Sequence, residues 1–478
     1  MKQLYKFSMA VLTALVLVGM AQAMSAQEAT PDQSTSGTEQ YNVNPAHYPS
    51  APGTLIIPSS SLPQAVPAGH RLAAHTNVRV FLPHGFSPDE APPFSGYAYE
   101  TPASLACHYG LVSTTAAPSC NPNSTTVPPT GGSKTIAIVD AYDDPAASGD
   151  LAWFSLQFGV PLTSSSQFQV IWAMTADSSC SSAGYVPTDP TGGWEVEESL
   201  DIEWSHAMAP AAKIYLVEAC SNYDSDLQQA VLVASNLVQC GSTEINPTTG
   251  VLGKCPVGSA GKGEVSISWG GGEFAGENTA NSCASLNDSC FVTPGIVYVA
   301  SSGDSPGVEY PSVSPNVVSA GGTTVRRNPS TGNFLAEAAW VSGGGGQSAI
   351  EARPTYQSSV SAIVGAWRGV PDLSFDSDPN TGVWVYDTFP AEGVEYYEWL
   401  IVGGTSVAAP SLAGIINRAG AFAASSSAEL TTIYTNKAVT TDFTDITNGF
   451  CGPYMGFTAG TGYDLCTGVG VTKGYTGK

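Results

Sequence analysis

The sequence has few charged residues for its length, and most of them are acidic. Charged residues make up 12% of the 478, with 16 Lys plus Arg against 40 Asp plus Glu, and the formal charge is −24. Such a chain has no basic surface to neutralise phosphates, which excludes a nucleic-acid-binding protein. It forms few ion pairs and loses its charge as pH falls, which predicts tolerance of acid. A solvated acidic surface accounts equally well for the same composition.

The cysteines show no Cys-x-x-Cys spacing, which disfavours zinc ribbons and thioredoxin chemistry. There are 10 of them, and an even number in an exported chain indicates disulfides. We expect sequential pairing, from Cys107–Cys120 through to Cys451–Cys466, although the spacing alone does not fix the connectivity.

Long apolar runs are missing except at the start of the chain. Lys2 and Lys6 precede an apolar run over 9–20, and the small-x-small pattern of 21–23 follows it. This pattern predicts a signal peptide over 1–23, with cleavage after Ala26 as an alternative. No other segment is long and apolar enough to cross a bilayer, so we expect a secreted protein without a membrane span.

The rest of the chain divides by composition at about residue 96. Residues 27–95 are rich in Pro, Ser and Thr, which predicts a disordered arm rather than a packed domain. From 96 to 478, β-branched apolar runs alternate with helical stretches, which predicts one α/β domain with a mostly parallel sheet between helical layers. The predicted strands are 135–139, 213–217, 265–269, 296–300 and 383–386, and the predicted helices are 145–158, 194–207, 225–238 and 406–424.

A candidate nucleophile lies in the glycine-rich segment 403–410. Ser406 follows Gly404-Thr405 directly before a long apolar helix. The N–H groups and dipole of a helix N-terminus favour the oxyanion that forms when a serine attacks a carbonyl. A glycine-rich turn with a capping Ser or Thr explains the segment as well.

The base for that serine is not an obvious histidine. No His-Gly-Thr-His motif is present, and His206, near a predicted helix end, is more typical of a structural residue. Glu197 and Asp201 are four residues apart and share one helix face. Two such carboxylates titrate together, so that one can act as a general base in acid, where histidine is protonated. An acidic first helical turn is the simpler explanation of this pair taken alone.

Five motifs, taken together and in order, resemble the sedolisin family of serine-carboxyl peptidases, which have a subtilisin-like fold. The resemblance runs from Tyr99 to near the C-terminus. The motifs are Glu197-x-x-Leu200-Asp201, Ser302-Gly303-Asp304-Ser305, Arg368-Gly369-Val370-Pro371-Asp372, Gly404-Thr405-Ser406 through Pro410, and Asp445-Ile446-Thr447 with Gly460-x-Gly462-x-Asp464.

The resemblance implies a role for each matching residue. Ser406 would be the nucleophile, Glu197 the general base, and Asp201 the carboxylate that orients and tunes that base. Asp304 would donate a hydrogen bond to the oxyanion, which requires its neutral form and therefore favours acid. The resemblance further implies that Asp140 and Trp269 extend the carboxylate network, although both equally suit strand-end and core positions.

The last motif implies a metal site as well. The carboxylates of Asp445 and Asp464, with carbonyls of Ile446, Gly460 and Gly462, form an all-oxygen donor set, which selects Ca²⁺ over Zn²⁺. We expect one structural calcium ion that pins these loops. An Asp–Gly turn cluster closed by Cys451–Cys466 is the alternative.

The sequence departs from the family pattern before residue 99. Family members commonly carry a long folded inhibitory propeptide, whereas no recognisable full propeptide fits between the signal peptide and Tyr99. The expected function is a secreted, acid-acting endopeptidase that hydrolyses proteins or peptides as a monomer. The alternatives are a tripeptidyl-type exopeptidase, a catalytically silent secreted binding protein, and a neutral peptidase that uses His206.

Overall fold

The computed structural model describes most of the predicted domain and part of the predicted arm. The described residues are 52–87, 99–112, 119–160, 162–164, 166–175, 178–241, 255, 261–280, 282–328, 330–452 and 456–478. They all belong to one unit, residues 38–478. The predicted signal peptide lies outside the described residues.

Helices and strands alternate along the described chain. The helices are α1 (Pro102–His108), α2 (Ala147–Phe158), α3 (Gly193–Met208), α4 (Asp224–Cys240), α5 (Ser361–Val364), α6 (Thr405–Ala419) and α7 (Ser426–Asn436). The strands are β1 (Gly53–Ile56), β2 (His75–Thr76), β3 (Arg79–Pro83), β4 (Thr135–Ala141), β5 (Phe168–Trp172), β6 (Lys213–Ala219), β7 (Gly263–Ile267), β8 (Trp269–Gly270), β9 (Ile296–Ser301), β10 (Val318–Arg327), β11 (Phe334–Ala339), β12 (Gly346–Ala352), β13 (Trp367–Val370), β14 (Leu373–Asp376), β15 (Val383–Tyr386), β16 (Trp399–Gly403), β17 (Phe443–Thr444), β18 (Phe450–Cys451), β19 (Phe457–Thr458) and β20 (Val471–Thr472).

A ten-stranded sheet forms the middle layer, in the order β17-β20-β14-β10-β9-β7-β4-β6-β5, with β11 beside β10. Its pairs from β20 to β5 are parallel, and only β17 and β11 pair antiparallel with their neighbours in the described chain. Because parallel strands end at the same edge, Asp140 at the end of β4 lies near the ends of β7 and β9. The predicted α/β architecture with a mostly parallel sheet is confirmed.

The two faces of the sheet are covered by separate apolar clusters. Along β4, Ile136 and Ile138 belong to one cluster, whereas Ala137 and Val139 belong to the other. This alternation follows from the two-residue repeat of a strand and requires apolar cover on both sides. Helices α3 and α6 pack together on the first face, and α4 packs on the second, which gives the predicted three layers.

Residues 52–87 are the part of the predicted arm that the structure describes, and there the prediction of disorder is wrong. There β1 pairs with β3, and β3 pairs with β16 in a four-stranded sheet, with Phe81 opposite Ile401. Val78, Val80 and Phe81 are buried. These few apolar residues hold the segment in place by packing beside a strand from the far end of the chain. The composition of the segment itself cannot reveal such distant partners.

The five disulfides confirm the expected sequential pairing. They join Cys107–Cys120, Cys180–Cys220, Cys240–Cys255, Cys283–Cys290 and Cys451–Cys466. The motif at 368–372 supplies a buried ion pair, in which Arg368 Nη1 donates to Asp372 Oδ1 over 2.8 Å. No helix among the described residues has the length and apolarity to cross a membrane.

Most predicted elements lie where expected, with three differences. The strand predicted over 265–269 is interrupted at Ser268, and 383–386 is a strand of the small sheet instead of the large one. Helix α6 ends at Ala419 because Gly420 adopts a left-handed conformation (φ 74°) and closes the helix.

Candidate active site

Ser406 lies in the first turn of α6 and is completely buried. Its hydroxyl donates to the carbonyl of Ser268 over 3.1 Å, and its amide donates to the carbonyl of Asn77 over 3.1 Å. The preceding Gly404 has φ 110°, and a Cβ there would lie 2.0 Å from the Asn77 oxygen. Glycine at 404 is therefore required by both backbone conformation and space.

Helix α3 presents two carboxyl groups beside this serine. Asp189 anchors the start of α3, since its Oδ2 accepts from the amide of Gly193 over 3.1 Å. Glu197 and Asp201 then lie one turn apart on the helix, and both are completely buried. Ser268 connects this pair to Ser406. Its hydroxyl donates to Asp201 Oδ1 over 2.8 Å, and its carbonyl accepts from the Ser406 hydroxyl.

The pKa values of these groups show that they are close neighbours. Burial raises the pKa of Glu197 well above its usual range, the charges of Asp201 and Asp140 raise it further, and the Ser406 hydroxyl lowers it. Burial and Asp140 also raise the pKa of Asp201, whereas Ser268 and Glu197 lower it through hydrogen bonding. The oxygens of Glu197 make no well-aligned hydrogen bond to the described residues. Burial and the neighbouring charges therefore favour the protonated form of the carboxyl pair.

Asp304 lies in the loop after β9 and reaches the N-terminus of α6. Its Oδ1 accepts from the amide of Thr405 over 2.7 Å and from the Thr405 hydroxyl over 3.0 Å, so it caps the helix. Burial raises the pKa of Asp304 to about 7, against the opposing effect of Arg79. The Arg79 Nε atom is 3.6 Å from Asp304 Oδ2. Below neutral pH, Asp304 is consequently a neutral acid with a proton to donate.

Asp140 and Trp269 occupy the positions predicted beside the carboxyl pair, but only Asp140 acts on it. Asp140 is completely buried, burial raises its pKa to about 8, and its charge raises those of Glu197 and Asp201. The Trp269 indole N–H instead donates to the carbonyl of Val139 over 2.7 Å. Trp269 therefore fixes the strand next to Asp140 and makes no hydrogen bond to a carboxyl group.

No family model matches the chain. It is 31% identical to kumamolisin from Bacillus sp. (strain MN-32) over 310 residues, which cover 59% of this chain and 50% of kumamolisin. It is 33% identical to sedolisin from Pseudomonas sp. (strain 101) over 183 residues, which cover 35% of this chain and 29% of sedolisin. The matches thus span half or less of these curated relatives.

A solved structure of Pseudomonas sedolisin, a serine-carboxyl proteinase complexed with two molecules of pseudo-iodotyrostatin, is also similar. The match has a TM-score of 0.53 at 24% identity and covers 71% of this chain and 90% of that chain. It shows a shared fold, which is the predicted subtilisin-like one. The matches support membership of the sedolisin family.

The last motif forms two adjoining loops near the C-terminus. Asp464 Oδ2 accepts from the amide of Gly460 over 3.0 Å, and Asp445 Oδ2 accepts from the amide of Gly462 over 2.9 Å. The fifth predicted ligand, Ile446, is buried beside them. No cluster of three His, Cys, Asp or Glu side chains suited to a metal occurs in the described part of the chain.

His206 does not contact the site. It is buried in the last turn of α3, where its Nε2 lies 2.6 Å from the carbonyl oxygen of Val160. Burial lowers its pKa to about 4. None of the described histidines hydrogen-bonds to Ser406, so the geometry gives no support to an imidazole base.

Sequence reasoning missed three contributors to the site, which are Ser268, Asn77 and Arg79. Ser268 belongs to the Ser268-Trp269-Gly270 triplet, and its role was missed because the sequence predicts an uninterrupted strand over 265–269, whereas the structure breaks that strand at Ser268. Asn77 and Arg79 lie in the segment whose composition indicates disorder, and nothing local marks them. Their place follows only from the pairing of β3 with β16.

Proposed function

We propose that this chain is a secreted, acid-acting serine-carboxyl endopeptidase. The observation that carries the proposal is the shared environment of Ser406, Glu197 and Asp201, in which each carboxyl pKa responds to its neighbours and none of the described histidines takes part. The sedolisin-family matches support the same reaction class.

In the proposed reaction, Ser406 attacks the carbonyl carbon of a peptide bond while Glu197 accepts the hydroxyl proton. Asp201 holds Glu197 in place and shares its proton, and Ser268 in turn orients Asp201. The protonated Asp304 and the Ser406 amide donate to the oxyanion, which is the interaction that gains strength in the transition state. Glu197 then passes its proton to the leaving amine, and water hydrolyses the acyl-enzyme by the reverse sequence.

The path of residues 72–83 past Ser406 favours an endopeptidase over a tripeptidyl-type exopeptidase. This segment crosses the site without interruption, from Ala73 beside Tyr223 to Arg79 beside Gly403. A cleft that admits chain on both sides of Ser406 suits cleavage within a polypeptide. A tripeptidyl-type enzyme would need the cleft closed a few residues before the scissile bond.

We also propose that Asp445 and Asp464 hold one structural calcium ion with carbonyls of Ile446, Gly460 and Gly462. The two carboxylates fit a hard cation, since each faces the loop 460–462 and neither forms a salt bridge with a described Lys or Arg. A bound ion would neutralise the two loops and tie them together, and it would take no part in the chemical step.

The remaining parts of the proposal are export and a monomeric state. Export is supported by the predicted leader and by disulfides that use all ten cysteines.

The direct test of the function is digestion of a denatured protein at pH 4 by wild type and by Ser406→Ala. We expect new peptides with wild type alone. A folded wild type that releases none would instead favour a silent binding protein.

A further inference from the structure

Thr405 contacts Asp304 twice, through its backbone and through its side chain. Its amide donates to Asp304 Oδ1 over 2.7 Å, and its hydroxyl donates to the same oxygen over 3.0 Å. Both residues are buried, so these contacts lie away from solvent. An amide N–H can only donate, which means that Oδ1 acts as an acceptor whether Asp304 is charged or neutral.

The direction of the hydroxyl contact is fixed by Gly303. The Gly303 amide donates to Thr405 Oγ1 over 3.0 Å, so the hydroxyl oxygen is an acceptor on that side. The hydroxyl proton must point elsewhere, and Asp304 Oδ1 receives it. Thr405 therefore gives Oδ1 two hydrogen bonds.

The loop that carries Gly303 is held from its other side. The Gly344 amide donates to the Gly303 carbonyl over 2.7 Å, and the Ser302 hydroxyl donates to the Gly344 carbonyl over 2.9 Å. These contacts keep the Gly303 amide directed towards Thr405. The orientation of the Thr405 hydroxyl is consequently a property of the folded loop.

The other oxygen of Asp304, Oδ2, is bonded differently. Apart from Arg79, whose Nε is 3.6 Å away, Oδ2 has no polar partner among the described residues. The charge of Arg79 favours negative charge on Oδ2, but the contact is too long for a good hydrogen bond. The two shorter bonds to Oδ1 outweigh it. Because a carboxylic acid accepts best at its carbonyl oxygen, neutral Asp304 has its carbonyl at Oδ1 and its proton on Oδ2.

Oδ2 also borders the space that an oxyanion would fill. A Cβ on Gly404 would lie 2.6 Å from Asp304 Oδ2 and 2.0 Å from the Asn77 carbonyl oxygen, so both oxygens border one point. That carbonyl oxygen accepts from the Ser406 amide over 3.1 Å. The Ser406 amide is one of the two proposed oxyanion donors, so Oδ2 lies on the side of Asp304 where the second donor is needed.

We propose that Thr405 is a positioning residue that keeps the proton of Asp304 on Oδ2, where it is donated to the oxyanion. This inference rests on the proposed function. Thr405 acts through Asp304 and does not touch the substrate in this role. Without the hydroxyl bond, the proton is divided more evenly between the two oxygens. Molecules with the proton on Oδ1 present a lone pair to the oxyanion instead of a donor.

The test compares Thr405→Val, which keeps the shape of the side chain but loses the hydroxyl, with Thr405→Ser, which keeps the hydroxyl. The assay is digestion of a denatured protein at pH 4. We expect Thr405→Val to lose roughly tenfold to a hundredfold in kcat with little change in KM, the effect of one or two lost hydrogen bonds. Thr405→Ser should retain most of the wild-type kcat.

The pH profile distinguishes positioning from a merely structural role. The Thr405 hydroxyl lowers the pKa of Asp304, as does Arg79, whereas Glu309 raises it. The charge of Asp304 in turn raises the pKa of Glu197. Since only the hydroxyl is removed, the alkaline limb of the kcat–pH profile should move to higher pH in Thr405→Val, although kcat itself falls. A variant that only weakened the fold would lose rate without moving this limb.

The infrared band of the Asp304 carboxyl group gives a readout that does not depend on turnover. A C=O group that accepts two hydrogen bonds absorbs at a lower frequency than one that accepts a single bond. The band should therefore shift upward in Thr405→Val at pH 4 and stay in place in Thr405→Ser. Subtraction of the Asp304→Asn spectrum assigns the band.

Thr388→Val is the matched control. Thr388 lies in the loop after β15, and its amide and hydroxyl donate to Asp150 over 2.8 and 2.9 Å, so it repeats these contacts outside the site. The control should keep the wild-type kcat and alkaline limb.

The outcomes separate this inference from the proposed function. If wild type digests the denatured protein while Thr405→Val keeps the wild-type kcat, alkaline limb or C=O band, the inference is wrong and the proposed function stands. A Thr405→Ser variant as slow as Thr405→Val also overturns it. If folded wild type digests nothing, both proposals fail.

Discussion

Ser268 Oγ donates to Asp201 Oδ1 over 2.8 Å, while the carbonyl of the same residue accepts from Ser406 Oγ over 3.1 Å. One residue thus joins the carboxyl pair to the serine that it is proposed to activate. The two contacts use the side chain and the backbone separately, so they can be separated by mutation.

Replacement of Ser268 by alanine should remove only the contact to Asp201. That hydrogen bond lowers the pKa of Asp201, so its loss should move the acid limb of the kcat–pH profile to higher pH. We expect kcat to fall about tenfold with little change in KM, the effect of one hydrogen bond to a charged group. Ser266→Ala is the control, since Ser266 is equally buried and its hydroxyl bonds to none of the described residues. An unmoved acid limb in Ser268→Ala would contradict the positioning role.

Replacement of Asp304 by asparagine should reduce kcat/KM at pH 4 by roughly 10²–10³-fold, the usual cost of an impaired oxyanion donor. An amide is a weaker donor than a carboxylic acid and has no proton to exchange with its surroundings. The helix cap can survive, because an amide oxygen can still accept from Thr405. Equal melting temperatures would show that the fold is intact. A near-wild-type rate in acid would remove the proposed role of Asp304.

The stability of the fold should fall as pH rises from about 4 to about 8. Burial raises the carboxyl pKa of Asp140 to about 8, of Asp144 to about 7 and of Glu195 to about 8. A carboxyl whose pKa is higher in the folded state contributes its full stability below its ordinary value near 4. It loses that contribution as pH rises through the folded value. Together these groups should change the free energy of unfolding by on the order of several kcal/mol.

Glu198→Gln isolates this effect, because Glu198 is completely buried and its pKa is raised well above its usual range by burial and by Glu218. The variant should melt at a higher temperature than wild type at pH 8 and show a shallower dependence on pH. Glu395→Gln, at an exposed position, should behave as wild type. A wild type more stable at pH 8 than at pH 4 would contradict the prediction.

Removal of calcium should lower the melting temperature by several degrees, since an ion bound only by the folded state adds about 2.7 kcal/mol at a hundred times its Kd. Asp445→Asn keeps an acceptor for the Gly462 amide but loses a negative charge. The variant should therefore respond less to chelator than wild type does. An unchanged melting temperature, with no calcium found by elemental analysis, would contradict the proposed metal site.

Local patterns predicted the elements that carry the carboxyl pair and the serine. The helix predicted over 194–207 is Gly193–Met208, and the predicted strand 296–300, which leads to Asp304, is Ile296–Ser301. These elements are long and strongly patterned, so their neighbours in sequence determine them. The expected disulfide pairing is also correct, because each cysteine pairs with its neighbour in the sequence, over separations of 7 to 40 residues.

The sequence could not reveal what joins distant parts of the chain. The Asn77 carbonyl meets the Ser406 amide only because β3 pairs with β16, and a Pro- and Ser-rich composition gave the opposite expectation for that segment. Trp269 shows the same limit, since its motif predicted the position but not that its indole N–H donates to a backbone carbonyl.

The most direct test of the account is the pH–rate profile for digestion of a denatured protein by wild type, Ser406→Ala and Glu197→Gln. We predict that wild type is active in acid and loses activity as pH rises past 7, where Asp304 ionises. We predict that Ser406→Ala is inactive and that Glu197→Gln, although folded, loses at least ~10²-fold in rate. An active Glu197→Gln variant, or a wild-type rate that rises through pH 6.5 as an imidazole base requires, would contradict activation of Ser406 by carboxyl groups.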